Sequence, residues 1–80
     1  MDSVGKVVHY YDKIGVAVVK LDKVLKVGDR VKFSHGDNSF EQGIESMQLD
    51  HKPISEGKAG DEVAIKVDNV AKEGTAVELS

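Results

Sequence analysis

Apolar and polar residues alternate along most of this chain, and a glycine or a polar pair stands just before most restarts of the alternation. Residues 4–11 (Val-Gly-Lys-Val-Val-His-Tyr-Tyr) read as a first strand, Asp12-Lys13 as a short turn and residues 14–21 (Ile-Gly-Val-Ala-Val-Val-Lys-Leu) as a second strand. The second segment is apolar on both faces, which puts it at the centre of a sheet or inside a closed barrel. Val18, Leu21 and Leu25 also fit the stripe of a short helix over residues 18–26. The strand is preferred because β-branched residues dominate and no N-cap signal introduces a helix.

One phrase repeats. Lys26-Val27-Gly28-Asp29-Arg30-Val31 returns as Lys58-Ala59-Gly60-Asp61-Glu62-Val63, and Lys72-Glu73-Gly74-Thr75-Ala76-Val77 is a looser copy. Each has a glycine, then a polar residue, then an alternating apolar run. Glycine tolerates the positive φ of a tight turn, and the alternation marks a half-buried strand. The pattern points Val31 and Phe33 inward with Arg30 and Lys32 outward. It points Val63, Ile65 and Val67 inward against Glu62, Lys66 and Asp68, and Val77 and Leu79 complete the last unit. Three turn-plus-strand units imply an all-β meander or barrel, and their uneven spacing excludes a solenoid.

A longer strand is expected over residues 39–50. Phe40, Gln42 and Ile44 share one parity while Met47 and Leu49 share the other, which implies a bulge or bend near Glu45-Ser46. Asp50-His51-Lys52-Pro53 ends that strand, because proline cannot donate to a ladder, and residues 54–60 read as a loop. No linker or low-complexity tract interrupts the pattern, so residues 1–80 read as a single domain.

Composition narrows the function classes. A chain of 80 residues buries roughly 60% of the surface its unfolded form exposes. That leaves room for one modest core and none for separate substrate and cofactor pockets. With no cysteine, a disulfide framework, a thiolate zinc site and a thiol nucleophile are excluded, and packing alone must hold the fold. Met1-Asp2-Ser3-Val4-Gly5-Lys6 lacks the basic start and apolar core of a secretory leader. The longest apolar run, residues 15–19, is far short of the ~20 residues that span a bilayer. A cytoplasmic protein with no membrane contact is expected. The net charge of −3, with both signs interspersed, argues against general attraction to phosphate backbones while leaving room for a local basic patch.

Candidate chemistry is sparse. Ser34-His35-Gly36-Asp37 has the letters of a hydrolase triad, but neighbouring strand residues face opposite ways, so a surface turn is the better reading. His9, His35 and His51, alone or with Asp37 or Asp50, show no ligand spacing, so no metal is expected. Neither a Walker loop nor a Gly-x-Gly-x-x-Gly phrase is present, and no cofactor is expected. Lys20, Lys23 and Lys26 can line one rim of a barrel, with Lys52, Lys58 and His51 on another. This is the one trace of a phosphate-binding surface, and an ordinary charged surface is the competing reading. Tyr10 and Tyr11 point to opposite faces of their strand, one toward the core and one free to stack on a base or anchor a partner.

The stretch from Val24-Leu25-Lys26-Val27-Gly28-Asp29-Arg30-Val31, through Ile44-Glu45-Ser46-Met47-Gln48-Leu49-Asp50-His51-Lys52-Pro53, to Glu56-Gly57-Lys58-Ala59-Gly60-Asp61-Glu62-Val63 resembles the second domain of translational GTPases of the elongation factor Tu kind. More narrowly, it resembles stand-alone translation elongation factor-like proteins. A similar barrel ends some peptidases of the collagenase-like U32 family. The resemblance implies a small six-stranded Greek-key barrel of the translation-protein type, in a protein that contacts RNA or the ribosome. Tyr11-Asp12-Lys13-Ile14 stands where the family has a Gly-Arg-Gly-Thr-like turn, and no site residue carries over.

The leading expectation is a non-catalytic module that binds RNA or a ribonucleoprotein through Lys20, Lys23, His51, Lys52 and Lys58, with Tyr10 or Tyr11 as a stacking platform. The alternative is a protein-docking domain that recruits an enzyme or GTPase in trans, or an accessory barrel like that of U32 peptidases. It requires an exposed apolar patch. An enzyme would require polar groups converging in a pocket, and no spacing suggests them.

Overall fold

The computed structural model describes residues 3–79. Met1 and Asp2, which open the leader reading, and Ser80 lie outside the described residues. Ten strands follow one another with no helix among the described residues. They are β1 (Ser3–Tyr11), β2 (Val16–Leu21), β3 (Leu25–Lys26), β4 (Arg30–His35), β5 (Asn38–Gly43), β6 (Met47–Leu49), β7 (Lys52–Ile54), β8 (Glu56–Gly57), β9 (Glu62–Lys66) and β10 (Ala76–Leu79).

Eight of them form one antiparallel sheet in the order β5-β4-β10-β1-β2-β9-β6-β7, and β3 pairs with β8 in a separate ribbon. The six-stranded Greek-key barrel is therefore corrected to a barrel-like sheet of eight strands that does not close. Its end strands, β5 and β7, do not pair. Closure is disfavoured at β7 itself, which is three residues long and contains Pro53, a residue with no N–H to give.

Each of the three repeated phrases builds the same device. The turn hydrogen bond runs from the fourth residue's N–H to the first residue's carbonyl: Asp29 to Lys26 at 3.1 Å, Asp61 to Lys58 at 3.0 Å and Thr75 to Lys72 at 3.0 Å. The third residues, Gly28, Gly60 and Gly74, have φ of 100°, 92° and 91°, the requirement of a type II turn. Asp29 and Asp61 each add a carboxylate oxygen that accepts from the N–H of Lys26 or Lys58 at 3.0 Å. In the third copy the Thr75 hydroxyl donates instead to the Lys72 carbonyl at 2.6 Å.

Every turn is also pinned to one buried residue by a reciprocal pair of hydrogen bonds. Gly28 N–H donates to Ile44, whose N–H donates to the Asp29 carbonyl, both at 2.8 Å. Leu21 is held in the same way by Gly60 and Asp61, and Val7 by Gly74 and Thr75. Ile44, Leu21 and Val7 all lie in the core. The repeated phrase thus fixes both a turn and the point where that turn meets the interior.

The inward positions read from the alternation fill that interior. Val31, Phe33, Val63, Ile65, Val67 and Val77 are buried, together with Val4, Val7, Ala17, Val19, Leu21, Leu25, Ile44, Met47 and Ala71. Leu79 is exposed, however, and Lys32 is half-buried.

Four local expectations change. The second strand begins at Val16, because Gly15 (φ 65°) closes a turn by donating to the Tyr11 carbonyl at 3.0 Å. The strand expected over residues 39–50 splits into β5 and β6 around Ile44, Glu45 and Ser46, and β6 joins the far side of the sheet. Asp50 and His51, both with positive φ (52° and 65°), form a two-residue hairpin turn, so Lys52 and Pro53 continue into β7 rather than end the ladder. The loop expected over residues 54–60 is partly strand as well. A Cβ on Gly57 would meet Leu21 Cδ1 at 2.6 Å, so only glycine lets β8 press onto the core beside β3.

Two polar side chains are buried among the described residues, Thr75 in the third turn and Gln42. Gln42 on β5 donates through Nε2 to the Lys66 carbonyl at 2.9 Å and accepts through Oε1 from the Asp68 N–H at 2.9 Å. It ties β5, an end strand of the sheet, to the chain leaving β9 without a backbone ladder.

Candidate functional site

The outer face of the sheet over β1, β2, β9 and β6 carries a groove of about 450 Å³. Its floor follows from strand pairing. Tyr11 lies opposite Val16, and Val18 lies opposite Ala64, which in turn lies opposite Gln48. Ile14, in the turn between β1 and β2, closes one end of the apolar floor. Gln48, Asp50, His51 and Glu62 form its polar rim.

Much of this floor is open to solvent. Ile14 is 64% exposed and Tyr11 47%, while Val16, Val18 and Ala64 are half-buried. The apolar second face of β2, read from sequence as the mark of a central strand, is this floor. It is central between β1 and β9, yet its outward valines have no covering layer among the described residues. The rim includes the hairpin turn at Asp50-His51, where two non-glycine residues hold left-handed φ. Asn-Gly would satisfy such a turn with less strain, and strain of this kind concentrates where a surface is used.

Of the residues singled out from sequence, the structure brings Tyr11 and His51 into this groove. Tyr10 packs against the core from a half-buried position, and Tyr11 is the exposed member of the pair. The lysines do not line the groove. Lys20 sits on β2 between Lys6 of β1 and Glu62 of β9, so an acid interrupts the row. Lys23 is exposed in the bend after β2, Lys52 lies on the end strand β7, and Lys58 opens the second repeated turn. The groove's floor was missed as a site because its valines carry no chemistry of their own.

His9 Nδ1 lies 3.4 Å from Glu73 Oε2, and its ring meets that of Tyr11 edge-on at 4.3 Å. Ser34 and His35 alternate across β4 as their spacing implied, with Ser34 half-buried and His35 exposed. Among the described residues, no group of three or more His, Asp or Glu is placed to hold a metal ion. No helix among them is long and apolar enough to cross a membrane.

No family model matches the chain. It is 34% identical over 78 residues to an uncharacterised protease of Methanocaldococcus jannaschii, covering 96% of the chain and 19% of the protease. The chain therefore spans about a fifth of the length of the curated relative it matches. Two solved structures share its fold at 21% identity. One is the C-terminal domain of a putative U32 peptidase of Geobacillus thermoleovorans, with a TM-score of 0.92 over 99% of this chain and 92% of that one. The other is the selenomethionine variant of the same domain, with a TM-score of 0.90 over 98% and 99%.

These findings overturn the resemblance to elongation factor domain II and to translation elongation factor-like proteins. The phrases behind that resemblance are now seen to encode type II turns and their anchors, which specify a barrel-like sheet and no ligand. The chain has the fold of a U32 peptidase C-terminal domain, and RNA or ribosome binding has no support from its relatives.

Proposed function

We propose that this chain is a non-catalytic accessory module of a U32-type peptidase, and that the outer groove is the face it presents to another protein. The observation that carries the reading is the match to a protease across nearly the whole chain but only a fifth of the protease. A segment so placed is one part of a larger molecule, and its uncovered apolar face is what such a part would set against its neighbour. Exposed apolar patches rimmed by polar groups mark contact surfaces of this kind. The aromatic ring of Tyr11 supplies a large, rigid contact at low entropic cost.

The test is to shorten the Methanocaldococcus protease by the matched segment and titrate this chain against the remainder by calorimetry. A saturable complex in about the micromolar range, indifferent to ribonuclease, is expected. Ile14→Asp alters a side chain that is 64% exposed, so it should keep the fold and weaken binding by about tenfold or more. His51→Gly should relieve the turn and stabilise the chain slightly while it weakens the complex. Absence of a complex, or a complex untouched by Ile14→Asp, would sink the proposal.

A further inference from the structure

A second cavity, of about 250 Å³, opens on the opposite arm of the sheet, where β4 and β5 meet the chain that runs from β9 to β10. Its floor is aromatic. Phe33 and Phe40 face each other across the β4–β5 ladder with ring centroids 4.9 Å apart and planes only 10° apart. Phe33 is fully buried, so the stack is fixed from beneath, while Phe40 is half-buried. Val70, 60% exposed, forms an apolar lip.

The polar groups around this floor include a cation and no acid. They are the side chains of His35, Asn38, Lys72 and Thr75. The Thr75 hydroxyl already donates to the Lys72 carbonyl, and the exposed Lys72 brings the one ammonium among the lining residues. No carboxylate lines the cavity, although the chain carries fourteen acids against eleven bases. Glu73, next to Lys72 in sequence, lies with its carboxylate near His9 instead. The other groove is the reverse, with Asp50 and Glu62 on its rim.

An apolar floor with a cationic, hydrogen-bond-donating rim is complementary to an amphiphilic anion. The volume lies just below the ~300–1,000 Å³ of pockets for drug-sized ligands, which limits the occupant to one residue-sized group. We propose that this cavity binds a carboxylate bearing a single apolar group, with the apolar group against Phe40 and Val70 and the carboxylate at Lys72. A free organic acid and the C-terminal residue of a peptide share that chemistry. The proposal stands apart from the docking reading, since it uses neither the outer groove nor the peptidase.

The experiment titrates the chain with 3-phenylpropionate and with N-acetyl-phenylalanine, each beside its carboxamide, and follows backbone amide shifts by NMR. Saturable shifts at Phe40, Val70 and Lys72 are expected with either acid, with a dissociation constant of about 1 mM for a ligand of this size. Each carboxamide should bind about tenfold more weakly. The tighter acid tells a free organic acid from a peptide end. Val70→Asp, on an exposed side chain, should abolish the shifts, and Lys72→Met should reduce each acid to the level of its carboxamide. Equal binding of acid and carboxamide, shifts that persist in Val70→Asp, or no saturation by about 10 mM would overturn the proposal.

Discussion

The three repeated turns and the seam at Gln42 hold the same sheet together by different means. At the turns, a short local device is made three times over and tied to a core residue distant in sequence. A glycine, a polar cap and two backbone hydrogen bonds to one core residue recur with Ile44, Leu21 and Val7 as anchors. At the seam, one side chain joins two backbone segments 24 and 26 residues away, with no ladder beside it. Loss of one cap leaves a turn its other bonds. Loss of the single glutamine leaves a part-buried carbonyl and a part-buried N–H without their protein partner.

Gln42→Leu should therefore have the largest effect. It keeps the volume but orphans the Lys66 carbonyl and the Asp68 N–H, at a cost of roughly 2–5 kcal/mol. In a domain of this size that lowers Tm by about 10 °C or more. Calorimetric melting reads it, and the Asp68 amide should lose its protection from hydrogen exchange. A shift of only a few degrees would mean that solvent already reaches the seam.

Gly60→Ala should cost about 1–2 kcal/mol, because φ of 92° is strained for any residue with a Cβ. Nothing lies within 4 Å of a Cβ built there, so backbone strain is the whole effect. Chemical denaturation would measure it free of any packing term.

The smallest effect belongs to the caps. Asp29→Ala and Asp61→Ala each remove one exposed hydrogen bond, about 0.5–1 kcal/mol apiece. The double variant should lose the sum to within about 0.5 kcal/mol, since the two turns share no partner. A clearly larger loss would show the turns to be coupled through the core, and the contrast with the seam would weaken.

The same contrast decides what could be read from the sequence. Glycine, cap and alternation lie within six residues of one another, so the turns, the strands they launch and most of the inward-pointing residues were legible. Gln42 was placed on one parity with Phe40 and Ile44, but its partners are backbone groups that carry no residue signature. The β6–β7 hairpin hid behind Pro53 and behind a turn made of Asp50-His51 instead of Asn-Gly. The ribbon of β3 and β8 is only two residues per strand, too short for alternation to show. The open end of the sheet follows from such particulars, while the six-stranded Greek-key barrel came from the family resemblance. The resemblance to elongation factor domain II failed for a related reason, since turn chemistry recurs wherever a small sheet must bend, while the likeness to the barrel of U32 peptidases is the one the solved structures share. As for the candidate site, Tyr11 and His51 were singled out and both line the outer groove, but the valines on its floor looked like interior.

β10 is the last strand in the chain order, yet it sits between β4 and β1, with β2 beyond. Synthesis therefore delivers the middle of the sheet after its flanks. Until Ala76–Leu79 emerges, β4 and β1 each present an unpaired backbone edge, the kind of surface on which nascent chains stick to one another. The third turn arrives with that strand and fastens it to Val7, 67 positions upstream of Gly74. A contact so far apart in sequence makes folding slow. It also makes a nick or truncation near the C-terminal end of the sheet far more damaging than one at either outer edge, because it removes a keystone.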